Sequence, residues 1–126
     1  MPIQDTYIGA MKATGGLRHI ALEARDLKET ENFYREVLGL KVAFRVPPNM
    51  LFLRTPGSND LLNFIKSGKE INPQGLDHFG FKVPRATLRK VEERLKENGV
   101  EIKGRRGRSS IYFRDPNGYL IECYCD

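Results

Sequence analysis

The sequence predicts an α+β fold: two copies of a βαβββ unit that together form a curled mixed sheet, with the helices outside. Three observations predict it. Residues 17–42, LRHIALEARDLKETENFYREVLGLKV, and residues 76–102, LDHFGFKVPRATLRKVEERLKENGVEI, follow one plan of apolar strand, helix, glycine and second strand. The opening strands carry the chain's only two histidines, His19 and His78, at matching places. Each copy then runs into a hairpin, LFLRTPGSNDLLNFI at 51–65 and IYFRDPNGYLIECY at 111–124. The offset between the copies grows by one residue between the histidines and the paired Gly39 and Gly99, so a single insertion separates them. The modules are 17–65 and 76–124 of one domain, 1–126, with residues 1–15 left over as an N-terminal arm or extra strand.

Each element has a local cause. In the first helix Asp26 followed by Glu29 reads as a capping box, Leu27, Phe33, Tyr34, Val37 and Leu38 form the apolar stripe, and Gly39 suits the left-handed C′ position. Tyr34 belongs to that stripe, as packing. The second helix starts after Pro84, buries Leu88, Val91 and Leu95, and stops at Asn98-Gly99. The hairpins turn through Pro56-Gly57-Ser58-Asn59 and Asp115-Pro116-Asn117-Gly118, where proline and glycine supply turn backbone. Arg54 and Arg114 recur beside these turns, which points to bracing.

Composition excludes several classes. A chain of 126 residues with 40% apolar and 29% charged residues suits one folded domain rather than a disordered segment. No apolar run reaches the ~20 residues that cross a bilayer, and the N-terminus lacks the order of a signal peptide, so the expectation is a soluble, cytoplasmic protein without membrane association. Cys123 and Cys125, two apart on one strand, are expected as buried small residues rather than a disulfide. The net charge of +5 favours anionic ligands; no aromatic platform accompanies the basic residues, so nucleic acid is not the expected partner.

Strand alternation puts His19 with Leu17 and Ala21, His78 with Leu76 and Gly80, and Glu122 with Leu120 and Tyr124. A carboxylate or imidazole among apolar neighbours needs a partner, a proton or a cation. The repeat places His19 and His78 at equivalent positions about a pseudo-twofold axis, and Glu122 completes a set of two imidazoles and one carboxylate. Such a set suits Fe(II), Mn(II), Zn or Ni and leaves positions open for water and substrate. Asn63 is the repeat equivalent of Glu122, a neutral amide that offers a carbonyl oxygen but no base. The residues alone are equally consistent with a duplicated structural histidine and a Glu122 turned to solvent.

L-x-H-I-A-L at 17–22, D-L at 26–27, FYREVLGL at 33–40, L-D-H-F-G-F at 76–81 and YFRDPNGYLIE at 112–122 resemble the vicinal oxygen chelate superfamily. That superfamily includes glyoxalase I, bleomycin-resistance proteins, extradiol dioxygenases, methylmalonyl-CoA epimerases and fosfomycin-resistance enzymes. The resemblance implies a divalent metal held by His19, His78 and Glu122, a small-molecule substrate that chelates it through oxygen, and a homodimer whose modules complete each site. It implies lyase, isomerase or transferase chemistry; the alternatives are an Fe(II)-dependent dioxygenase, a non-catalytic bleomycin-resistance-type binding protein, and a metal-stabilised structural dimer. Ser110-Ile111-Tyr112-Phe113 is similar to the S-x-Y-F strand whose Ser and Tyr contact the phosphonate in fosfomycin-type enzymes, so Ser110 and Tyr112 are expected substrate contacts; Tyr112 is also the expected catalytic acid, and Asn63 a further expected substrate contact. Ala21 stands where the thiol transferases carry Thr.

Residues 103–108, KGRRGR, place four cations in six positions next to that strand. They read either as a solvated hairpin or as a mobile lid whose Arg105, Arg106 or Arg108 receives an anion, with Arg105 and Arg108 taken as substrate contacts.

Overall fold

The computed structural model describes residues 13–126. Its order is β1 (His19–Ala24), α1 (Leu27–Leu38), β2 (Lys41–Val46), β3 (Met50–Arg54), β4 (Leu61–Lys66), β5 (Phe79–Lys82), α2 (Arg85–Glu97), β6 (Ile102–Arg106), β7 (Ser110–Arg114) and β8 (Leu120–Tyr124). This is βαβββ twice. Residues 1–12 of the expected arm lie outside the described residues; residues 13–18 form no strand.

The mixed sheet comes as two four-stranded sheets, one per module, in the orders β1-β4-β3-β2 and β5-β8-β7-β6. In each, the opening strand runs parallel to the last strand of its own module and the rest pair antiparallel. The hydrogen-bonding ladder is therefore complete within a module and stops at β1 and β5, which divides the curl in two. The repeat extends to the irregularities: the register slips between Val42 and Phe44 in one module and between Ile102 and Gly104 in the other.

The caps form as the sequence dictates. Asp26 Oδ1 accepts from the Glu29 amide at 2.9 Å, and Gly39 closes α1 at φ 70°, a left-handed conformation that glycine adopts without Cβ strain. One face of each sheet packs on its helix, through Leu51, Leu53 and Phe64 in the first module and Ile111, Phe113 and Ile121 in the second. Arg54 and Arg114 do brace their turns, donating to the carbonyls of Asp60 and Gly118 at 3.1 and 2.9 Å. Cys123 and Cys125 are buried and unbonded, and burial pushes the Cys123 thiol up to about 12.

Helix α1 is the joint between the modules. Tyr34, fully buried, donates to Asp115 Oδ2 at 2.7 Å in the β7–β8 turn, and Asn117 of the same turn donates to Thr30 Oγ1 at 3.1 Å. Tyr119 accepts from the Glu23 amide at 3.0 Å and donates to the Glu23 carbonyl at 2.9 Å, tying that turn to β1. No helix among the described residues is long and apolar enough to cross a membrane.

Candidate metal centre

With the helices on one face of each sheet, the other face is left open, and strand alternation decides what it shows. On the first sheet it shows His19, Asn63 and Phe52, with Phe44, Val46 and Ile65 exposed beside them. Phe44 stacks on Phe52 with ring centroids 4.2 Å apart. On the second sheet the matching register positions are polar: Arg106 opposite Ser110, and Tyr112 opposite Glu122.

On the second sheet these side chains meet. His78, just ahead of β5, brings Nε2 to 3.2 Å from Glu122 Oε1, while its Nδ1 lies 2.6 Å from Asp77 Oδ2. The other Glu122 oxygen, Oε2, accepts from Ser110 Oγ at 2.7 Å and from Arg106 Nη2 at 3.1 Å; Arg106 Nη2 also donates to Ser110 Oγ at 2.9 Å. The Tyr112 ring stands edge-on to His78, centroids 5.6 Å apart. Gly80, opposite Glu122, keeps this face shallow, since a Cβ there would stand 3.3 Å from the Glu122 carbonyl oxygen and 3.4 Å from the Tyr124 ring.

Electrostatics favour the carboxylate form of Glu122 and the protonated form of His78. Burial raises the Glu122 carboxyl, but hydrogen bonds from Ser110 and Tyr112 and the charges of Arg106 and His78 outweigh it and hold the group below its usual range. The Asp77 carboxylate, helped by Glu122 and opposed by desolvation, raises His78. Partial desolvation and then Glu122 raise the Tyr112 phenol, which therefore keeps its proton at neutral pH.

His19 does not join this cluster. It donates through Nε2 to Asn63 Oδ1 at 2.5 Å on the first sheet. Among the described residues no three His, Cys, Asp or Glu side chains stand close enough to share an ion. The expected convergence of His19, His78 and Glu122 thus does not occur within one chain, because β1 and β5 belong to separate sheets and each histidine faces the open side of its own. The donor chemistry still fits a divalent cation: an imidazole nitrogen and a carboxylate oxygen face each other on the second sheet, and the first sheet carries one more imidazole at the equivalent place.

The basic segment also differs from expectation. Residues 102–106 form strand β6, leaving only 107–109 as a turn, so no lid is built from them. Alternation turns Arg105 to the helix side, where Nη1 and Nη2 donate to Glu92 at 2.8 and 3.2 Å; it is not on the site face. Arg108 stands in the turn. Arg106 is the cation that reaches the cluster. Its shared face with Ser110 was readable from hairpin parity once the turn was known to span three residues. Asp77, beside His78, carried no signal of its own.

Paired βαβββ modules, each opened by a histidine and closed by a strand bearing Asn63 or Glu122, define a two-module chelate-type fold. The chain belongs to the glyoxalase/bleomycin resistance protein/dioxygenase superfamily, whose family model matches residues 16–123. It is 31% identical to the fosfomycin resistance protein FosX of Listeria monocytogenes, covering 86% of this chain and 88% of that one. It is 30% identical to the metallothiol transferase FosB of Shouchella clausii, over 86% of this chain and 79% of that protein. Among solved structures it is similar to a mutant of Listeria monocytogenes FosX complexed with Mn(II) and 1S,2S-dihydroxypropylphosphonic acid. There the TM-score is 0.74 at 25% identity, with 88% of this chain and 90% of that one covered.

Proposed function

We propose that this protein is a metal-dependent enzyme acting on a small oxygenated anion, with a phosphonate as the foremost substrate class, at a site that a second copy of the chain completes. The observation that carries this reading is the cluster of His78, Glu122, Ser110, Tyr112 and Arg106 on the open face of the second sheet. His78 and Glu122 would hold the cation together with His19 of the second copy. The ion supplies Lewis-acid stabilisation of developing negative charge on substrate oxygen.

The residues around it divide the remaining work. Ser110 orients Glu122 by its 2.7 Å hydrogen bond. Tyr112, protonated at neutral pH, would donate to a substrate oxygen as a carbon–oxygen bond opens. Asn63 of the second copy, bonded to its His19, would approach with an amide that lacks the capacity to act as a base. The addition of water or a thiol across a strained carbon–oxygen bond fits this inventory, and it accords with the similarity to FosX and FosB.

Pairing of two copies is favoured by the first sheet. Phe44, Val46 and Ile65 are 45%, 44% and 40% exposed on its open face, an apolar patch that needs cover. Laying that face over the second sheet of another copy would bury the patch and carry His19 toward the His78–Glu122 pair. By the twofold rule it does so twice.

The test is turnover of an epoxyphosphonate, followed by phosphorus NMR, by protein stripped with chelator and then supplied with Mn(II), Fe(II), Zn(II) or Ni(II), with water alone or an added thiol. Metal-dependent product formation that disappears in Glu122→Ala supports the reading. Ligand binding that survives chelation without turnover overturns it in favour of a binding protein, and oxygen consumption only with Fe(II) overturns it in favour of a dioxygenase.

A further inference from the structure

We propose that Asp77 is a positioning residue for the candidate cation site: by accepting the Nδ1 hydrogen of His78 it leaves Nε2 as the nitrogen that His78 presents to a cation beside Glu122. This rests on the metal reading above.

The contact follows from where the two residues stand. Neighbouring residues within a strand point to opposite faces and do not meet. Asp77 and His78 lie just ahead of β5, after a turn in which the Leu76 amide donates to the Pro73 carbonyl at 2.8 Å and Gly75 holds φ 90°. Strand alternation has not begun there, and His78 Nδ1 comes to 2.6 Å from Asp77 Oδ2. The first module lacks this pair. Ahead of His19 stands Arg18, which has no acceptor and donates through Nε to the Gly15 carbonyl at 3.2 Å, while His19 meets the amide of Asn63. The module with a carboxylate in front of its imidazole is thus the one with a carboxylate behind it.

A carboxylate oxygen accepts and does not donate, so Nδ1 is the nitrogen that carries hydrogen in this pair. The opposite nitrogen, Nε2, is the one that faces Glu122 Oε1 at 3.2 Å, with the Tyr112 ring edge-on beside the imidazole. Which nitrogen of a histidine binds a metal is set by the hydrogen bond that the other one makes. An imidazole without such a partner prefers its hydrogen on Nε2, the wrong tautomer for a ligand placed here. Asp77 therefore aims the ring and selects the tautomer together. Its side chain is 90% exposed, so it supplies this hydrogen bond and no packing to the core.

Two variants separate the hydrogen bond from the negative charge that Asp77 adds near the site. Asp77→Ala removes both, and Asp77→Asn keeps an acceptor oxygen without the charge. In calorimetric titration of Mn(II) into full-length, chelator-stripped protein, Asp77→Ala is expected to bind about tenfold more weakly than wild type and Asp77→Asn to stay within about threefold of it. Urea midpoints should not move. Nitrogen-15 NMR of histidine-labelled, metal-free protein, in buffer alkaline enough to keep both imidazoles neutral, reads the tautomer directly, and the chain has only two histidines to assign. Wild type and Asp77→Asn should carry the His78 hydrogen on Nδ1, and Asp77→Ala should shift it toward Nε2. Equal weakening in the two variants, which is the signature of charge alone, or a wild-type His78 with its hydrogen on Nε2, overturns the proposal. If wild type binds Mn(II), Glu122→Gln loses it, and Asp77→Ala binds as wild type does, only the role of Asp77 falls. If wild type takes up no Mn(II), the metal reading falls and this one with it.

Discussion

His19 Nε2 donates to Asn63 Oδ1 at 2.5 Å, inside its own module and away from His78 and Glu122. The same histidine-to-last-strand relationship recurs between His78 and Glu122 at 3.2 Å, so the repeat has produced one strand pairing twice with different chemistry at its end. Only the second copy is acidic. Three expected ligands are in this way split between two open faces.

A mixing experiment tests whether two copies reunite them. His19→Ala and Glu122→Ala chains are each expected to lose tight Mn(II) binding. Unfolded together and refolded at equal concentration, they should recover about one quarter of the wild-type sites, because half of the dimers are mixed and each mixed dimer has one intact site. Equilibrium dialysis measures the capacity; no recovery would show that the copies do not share ligands.

Arg105→Ala is expected to leave Mn(II) and anion affinity unchanged and to move the urea midpoint only slightly. Its guanidinium holds the Glu92 carboxyl below the usual range by a paired hydrogen bond, but Arg105 is half exposed and solvent screens the pair. Urea denaturation and calorimetric titrations of Mn(II) and methylphosphonate check both halves of this expectation.

Tyr34→Phe is expected to cost about 1–3 kcal/mol near neutral pH, since it strips a buried carboxylate of one donor. Burial raises the Asp115 carboxyl above its ordinary 3.8, against the hydrogen bonds of Tyr34, Tyr119 and Asn117. The fold thus favours protonated Asp115. That contribution is full below the ordinary value and lost as pH rises through the raised one. Removing the hydroxyl moves the loss to higher pH, so the variant should suffer least in acid. Urea midpoints across a pH series should show the difference growing toward neutrality.

Glu31→Gln should flatten the acid limb of stability. Arg45 donates to Glu31 Oε1 and Oε2 at 2.8 and 3.1 Å and lowers its carboxyl against the opposing effect of burial. Stability from this pair is present above the ordinary value of 4.5 and lost as pH falls through the lowered one. Because Arg45 is half exposed, the loss at neutral pH should be about 1 kcal/mol, measured by urea denaturation.

Much of the fold was legible in the sequence. Capping and periodicity locate α1 and α2, the turn residues locate both hairpins, and the repeat pairs His19 with His78 and Asn63 with Glu122. The residue types of the candidate site were legible module by module, but not which side chains would meet. Arg105 and Arg106 are adjacent and chemically identical; only the length of the turn at 107–109 decides which one faces Glu122 and which one faces Glu92.

By itself the sequence determined the order of elements, the duplicated plan and the strand positions of His19, His78, Asn63 and Glu122, because these depend on local spacing, capping and strand alternation. Tertiary structure decided that the ladder stops at β1 and β5, that two open faces result, and that His19 lies apart from His78. Sheet closure is a balance among strands remote in the chain. No local pattern encodes it.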